Sequence, residues 1–134
     1  MSRLLTPAEQ ALLEENGMRT DQGNEIDPPP VVKLFAVNGV ATWLLTELSP
    51  FYPGMAFGLA DLNDGKPELD NVFMPELETV QFDDDGGFIV EKDEDFKPEY
   101  PLSVFTEAAI MCGKITEDPE QLALAQRRLE SRAP

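Results

Sequence analysis

Two β-branched, aromatic-bearing runs separated by Asn38-Gly39 constrain this chain more than any other feature. "VVKLFAV" (31–37) and "VATWLLTEL" (40–48) flank the dipeptide. Val, Phe, Thr and Trp suit a pleated, half-buried surface, and Asn-Gly supplies turn residues that let two strands fold back on one another. Three prolines, Pro28 to Pro30, forbid a helix interior or a ladder-bonded strand just before the first run. Ser49-Pro50 ends the second. A third run, "MAFGLADL" (55–62), follows the break "SPFYPG" and extends the pair into an antiparallel meander.

Helices are expected around that sheet. "TPAEQALLEENG" puts Thr6 at an N-cap, Pro7 first in the helix and Glu9 third, which is a capping box with a proline start. Ala8, Ala11, Leu12 and Glu15 share a face at helical spacing, and Gly17 reads as the stop. Further on, "NVFM" (71–74) reads as a short strand and "PELETV" (75–80) as one helical turn. "FIVE" (88–91) reads as an edge strand guarded by its acidic flanks. "PLSVFTEAAIMCG" (101–113) reads as a helix with Val104, Phe105, Ala108, Ala109, Met111 and Cys112 on its apolar side. Asp118-Pro119 opens a last helix whose apolar stripe, Leu122, Ala125 and Leu129, is thin. The expected fold is α+β: an antiparallel sheet of three to five strands flanked by an N-terminal helix and one or two C-terminal helices. Residues 1–115 are expected to form one domain, and 116–134 a helical tail packed on it only in part.

The charge balance excludes one class of partner and invites another. The chain has ten Lys and Arg against 26 Asp and Glu, a formal charge of −16. Residues 61–99 alone hold fourteen acids and three bases. A phosphate-binding surface needs clustered Lys and Arg to displace counterions, and no such cluster occurs, so no direct contact with nucleic acid is expected. The acids have two readings. One is solubility and low self-association; the other is imitation of a polyanion at a basic site on a partner protein.

Other chemistry is narrowed by what the composition lacks. With no histidine, Ser–His and Cys–His catalysis and histidine-based zinc sites are excluded in their usual forms. Cys112, the one cysteine, allows no internal disulfide and reads as a small core residue. "DDDGG" (83–87) is no calcium loop, because the sixth position from Asp83 is Phe88 where glycine is needed; "EKDED" (91–95) has Phe96 there. No glycine-rich phosphate loop occurs, so no cofactor is expected. No run approaches the ~18 apolar residues of a membrane span, and the opening "MSRLLTPAEQ" has no apolar signal core. The chain reads as cytoplasmic.

One carboxylate sits inside the apolar run "WLLTEL". As a strand, this stretch alternates: Thr42, Leu44, Thr46 and Leu48 on one side, Trp43, Leu45 and Glu47 on the other. Both sides are mostly apolar, as in a central strand packed on both faces. Under one register, Lys33, Glu47 and Asp61 gather at one edge of the sheet, but a slip of one residue moves every side chain across. Such a cluster is an ion pair on a sheet surface, a binding cleft, or two carboxylates that hold Mg²⁺ or divide acid and base roles. The candidate binding residues are Lys33, Glu47, Asp61, Asp83, Asp84, Asp85, Asp93, Glu94 and Asp95.

The blocks "LLTPAEQALLEENG", "PVVKLF", "ATWLLTEL", "AFGLADL", "PELDNVFMPELETV" and "PLSVFTEAA" occur in that order. Together they resemble a bacterial domain-of-unknown-function family of short proteins, over residues 4–115. The resemblance carries over no activity and no catalytic residue. It implies a mobile-element setting, and with it accessory roles such as countering host defence. Three functions follow as expectations. The first is an acidic, non-enzymatic interaction protein that mimics nucleic acid and inhibits a basic restriction or CRISPR effector. The second is a small carboxylate- or metal-dependent enzyme using Glu47 and Asp61. The third is an adaptor that docks a partner through its sheet or terminal helix.

Overall fold

The computed structural model describes residues 3–79 and 89–132. In chain order the elements are α1 (Pro7–Asp21), β1 (Val32–Ala36), β2 (Thr42–Leu48), β3 (Met55–Asp61), β4 (Glu68–Phe73), α2 (Met74–Thr79), β5 (Val90–Lys92), α3 (Leu102–Cys112) and α4 (Pro119–Arg132). The strands form one antiparallel sheet in the order β4-β3-β2-β1-β5. This is the α+β arrangement expected from the sequence, and β5 is an edge strand. The β1–β2 loop is closed by the Ala36 amide on the Ala41 carbonyl at 2.9 Å, and Gly39 takes the left-handed conformation at φ 83°.

The sheet is covered on both faces, and β2 is buried between them. On one face Val32, Leu34, Trp43, Leu45 and Val90 meet Leu4, Leu5, Leu13 and Leu77. On the other, Leu44 and Leu59 meet Val104, Phe105, Ala108, Ala109, Leu122 and Ala125 from α3 and α4. Fully burying a Leu or Phe side chain contributes roughly 1.5–3 kcal/mol, so these two cores are the main stabilising term. α4 lies along α3 and buries Leu122 and Ala125 there, with Leu129 packed against the same core.

α1 departs from the expected face. Its start is the capping box: the Glu9 amide donates to Thr6 Oγ1 at 3.1 Å and the Thr6 amide to Glu9 Oε1 at 2.8 Å. Its buried side, however, is Leu13, Asn16 and Gly17, while Leu12 remains 46% exposed. Gly17 does not stop the helix, which runs on to Asp21. The reason is contact with β2. A Cβ at Gly17 would lie 1.9 Å from the Leu48 carbonyl oxygen. Only glycine lets the helix backbone approach the strand that closely.

Asn16 answers a second irregularity in β2. The pairing with β3 shifts between Leu45 and Glu47, which is a β-bulge at Thr46. A bulge leaves backbone groups outside the ladder, and buried ones need a partner. The Thr46 carbonyl accepts from Asn16 Nδ2 at 2.9 Å, and the Thr46 hydroxyl is 3.4 Å from the Phe57 carbonyl to which it donates. The bulge also resets the alternation expected for "WLLTEL": Leu48 joins Trp43 and Leu45 on the α1 side instead of facing away from them.

The proline loop seats α3. Pro101 offers no side-chain cap, but the Asp27 carboxylate accepts from the Ser103 amide at 3.0 Å and the Pro28 carbonyl from the Leu102 amide at 2.9 Å. Asp27 thus serves the open amides of α3 from across the fold, where a negative charge is also favoured by the helix dipole.

Two substitutions test the α1–β2 crossing. Asn16→Ala should cost about 1–3 kcal/mol by leaving a buried carbonyl without a donor. Gly17→Ala would gain up to about 1 kcal/mol in an unconstrained helix; here it should lower the urea midpoint sharply. A midpoint that rises in Gly17→Ala would mean that α1 is not seated on Leu48.

Candidate functional site

The expected cluster of Lys33, Glu47 and Asp61 does not form. Cross-strand pairing sets Asp61 opposite Thr42 and Glu47 opposite Phe57. Four residue steps of β3, from Phe57 to Asp61, therefore separate the two positions, about 13 Å at ~3.3 Å per residue. A shared ion or a divided acid–base role needs them together, and the pairing of β2 with β3 holds them apart. Among the described residues no group of three or more His, Cys, Asp or Glu side chains converges in a metal-binding arrangement.

Each of the three has a local structural task. Asp61, 9% exposed, accepts from the Asn63 amide at 2.9 Å and the Ile115 amide at 3.0 Å. It ties the β3–β4 turn, where Asn63 is left-handed at φ 59°, to the α3–α4 link. Lys33 lies 3.5 Å from Asp93 Oδ2 and in close contact with Glu117, which fastens β1 to the segment after β5 and to the α3–α4 link. Glu47 accepts from the Thr20 hydroxyl at 2.8 Å, which joins the end of β2 to the last turn of α1.

The remaining candidates divide. Asp93 takes the Asp95 amide at 2.9 Å while its own amide bonds the Lys33 carbonyl, so it shapes a turn. Glu94 sits 3.8 Å from Lys92, and Asp95 is exposed. Asp83, Asp84 and Asp85 lie outside the described residues.

Among the described residues two carboxylates are shifted from their ordinary acidity, and both are structural. Hydrogen bonds from Arg132, with Arg128 beside it, hold Glu107 below the usual carboxylate range although burial opposes this. This clasp joins α4 to α3. At Glu9 burial acts to raise the pKa, but the Thr6 amide and the Lys92 ammonium at 2.9 Å outweigh it and the net shift is downward.

What the fold does build is a surface around the β2–β3 loop, Ser49 to Gly54, which the sequence marks only as a break. Ser49 Oγ accepts from the Phe51 and Tyr52 amides, each at 3.1 Å, and the Ser49 amide reaches the Met55 carbonyl at 2.8 Å. With Pro50 and Pro53 stiffening it and Gly54 at φ 83°, the loop holds a fixed shape. It displays Phe51 and Tyr52, each 69% exposed. A cleft opens on either side. The larger, about 500 Å³, lies between α1 and α2 and is lined by Leu5, Glu14, Met18, Pro53, Pro75 and Glu78 among others. The smaller, about 290 Å³, lies by the end of α1 and is lined by Thr20, Asp21, Glu47, Phe51, Phe57 and Asn71 among others. Each lining carries two carboxylates and neither carries a Lys or Arg. Exposed aromatics beside an apolar cleft are the usual marks of a partner-binding surface. Two aromatics in a proline-bounded turn were the signal for it in the sequence.

A family model described as "Protein of unknown function (DUF2958)" matches residues 4–116, the stretch on which the sequence resemblance rests. α4 lies beyond the match. No curated protein and no solved structure matches the chain.

The Glu107 clasp gives a pH test. A carboxylate whose folded pKa is depressed contributes fully above its unfolded value, near 4.5, and loses that contribution as pH falls through the folded value. Glu107→Gln should cost about 1 kcal/mol at pH 7, given the half-exposed arginines. The gap in Tm between the native chain and Glu107→Gln should narrow steadily from pH 5 to pH 3 (circular dichroism melts). A gap that stays constant would show that the ionised carboxylate of the clasp carries no stability.

Proposed function

The chain belongs to this DUF2958 family, whose description assigns no activity, and we propose that it is an acidic, non-enzymatic interaction protein that binds a basic partner. The observation that carries this reading is how the charges are used. Among the described residues, five of the ten bases, Arg3, Lys33, Lys92, Arg128 and Arg132, are engaged in ion pairs within the fold. Exposed acids on β4, Glu68 and Asp70, and those around the clefts, Glu14 and Asp21, face solvent, and among the described residues no base pairs with them. The surface field is strongly negative, which speeds encounter with a cationic surface and repels nucleic acid. The mobile-element setting implied by the family resemblance points to a nucleic-acid-binding effector of host defence as the partner. The acids would occupy the site that effector keeps for a phosphate backbone.

A second reading, an adaptor docked mainly through apolar contacts, draws on exposed Phe51 and Tyr52. Salt separates the two. Exposed charge pairs are screened beyond a Debye length of ~8 Å at physiological salt and ~3 Å at 1 M, whereas apolar burial is not weakened in that way. The immobilised protein should retain a basic host protein, identified by mass spectrometry, at 50 mM NaCl and release most of it at 500 mM. Retention of no basic protein at low salt overturns the proposal. A partner that stays bound at high salt favours the adaptor reading.

A further inference from the structure

We infer that the smaller cleft, between the end of α1 and the β2–β3 loop, is a seat for an arginine side chain of the partner protein. This deepens the preceding proposal and rests on its claim that the partner is basic. The cleft is a groove at the margin of the α3–α4 layer: Glu47, Phe57 and Asn71 stand side by side across β2, β3 and β4, and Phe57 is half-buried against that layer's core. Phe51 rises from the loop as a second wall.

Three properties of the groove select a guanidinium. Its acceptors are Glu47 and Asp21, and among the described residues neither is paired with a Lys or Arg. Glu47 is positioned in advance, since the Thr20 hydroxyl holds its Oε2 at 2.8 Å. The groove also lies at the C-terminal end of α1, where the helix dipole favours a cation. Finally, its lining includes two aromatic rings, Phe51 and Phe57, and an aromatic ring offers a flat, electron-rich face. A planar guanidinium stacks on such a face while donating to a carboxylate; a lysine ammonium is a strongly hydrated point charge that gains less from either. The volume, about 290 Å³, suits one side chain and not a folded element. The larger cleft lacks the aromatic walls and takes no part in this assignment.

The test uses hexa-arginine and hexa-lysine peptides of equal charge, titrated into the full chain at 100 mM NaCl by isothermal calorimetry. Hexa-arginine should bind at least five-fold more tightly than hexa-lysine. Glu47→Gln, which keeps an acceptor for Thr20, and Phe51→Ala, at a site already exposed, should each remove most of that preference. Asp64→Asn, an equal charge change outside both clefts, should leave it intact. Equal affinity for the two peptides, or a loss with Asp64→Asn as large as with Glu47→Gln, would reduce the attraction to diffuse charge and overturn the inference. A basic host protein retained equally by the native chain and by Glu47→Gln would overturn the arginine seat while leaving the proposed function standing. Hexa-arginine preference without any retained basic protein would support the seat and defeat the proposed function.

Discussion

Everything on one side of this molecule hangs on the place where α1 crosses β2. Two backbones meet there with no side chain between them, because residue 17 is glycine and a Cβ would stand 1.9 Å from the Leu48 carbonyl oxygen. One residue earlier, Asn16 reaches the carbonyl that the bulge at Thr46 removes from the ladder. These contacts fix the height and angle of α1 over the sheet. They also fix what comes next in the chain, since Ser49 follows Leu48 directly and caps the loop that carries Phe51 and Tyr52. The last turn of α1 is thereby brought to Glu47, and the groove between them exists. A core contact and a surface feature share one cause, so a change at residue 17 is felt at the loop.

The charges show a similar division of labour. Long-range cationic contacts hold parts of the fold that the sheet alone does not join: Lys92 to Glu9, Lys33 to Asp93 and Glu117, Arg128 and Arg132 to Glu107, Arg3 to the Val90 carbonyl. Partly exposed pairs of this kind each contribute little to stability. Their consequence for the surface is larger. Among the described residues, five bases are held by six acids in such pairs, and the acids that remain outnumber the remaining bases and keep the surface negative.

The sequence makes the frame of this fold readable and leaves its irregularities hidden. Asn38-Gly39 and the proline boundaries fix the hairpin; Thr6, Pro7 and Glu9 fix the start of α1; acidic flanks mark β5 as an edge. The buried face of α1 is not readable from hydropathy, because two of its three central residues, Asn16 and Gly17, are not apolar. They are buried for what they do to a backbone, one by donating to it and one by yielding space. The bulge at Thr46 is hidden for the opposite reason. "WLLTEL" is apolar on both faces, so a reset of the alternation leaves no mark in the pattern. β2 and β3 run antiparallel, so Glu47, beside the connecting loop, and Asp61, at the far end of β3, fall at opposite ends of the pair and do not gather at one edge. The candidate surface borders "SPFYPG", where the turn chemistry is plain but the clefts on either side are formed with residues of α1, distant in sequence.

A built groove, and not diffuse negative charge, is what we propose selects the partner. The most direct measurement is amide chemical-shift mapping of the ¹⁵N-labelled chain with hexa-arginine peptide at moderate salt. A built groove predicts shifts centred on Thr20, Asp21, Glu47, Phe51, Phe57 and Asn71, with little change along Asp93 to Asp95 or on α4. Shifts spread over all the exposed acids, or centred on the segment after β5, would contradict it.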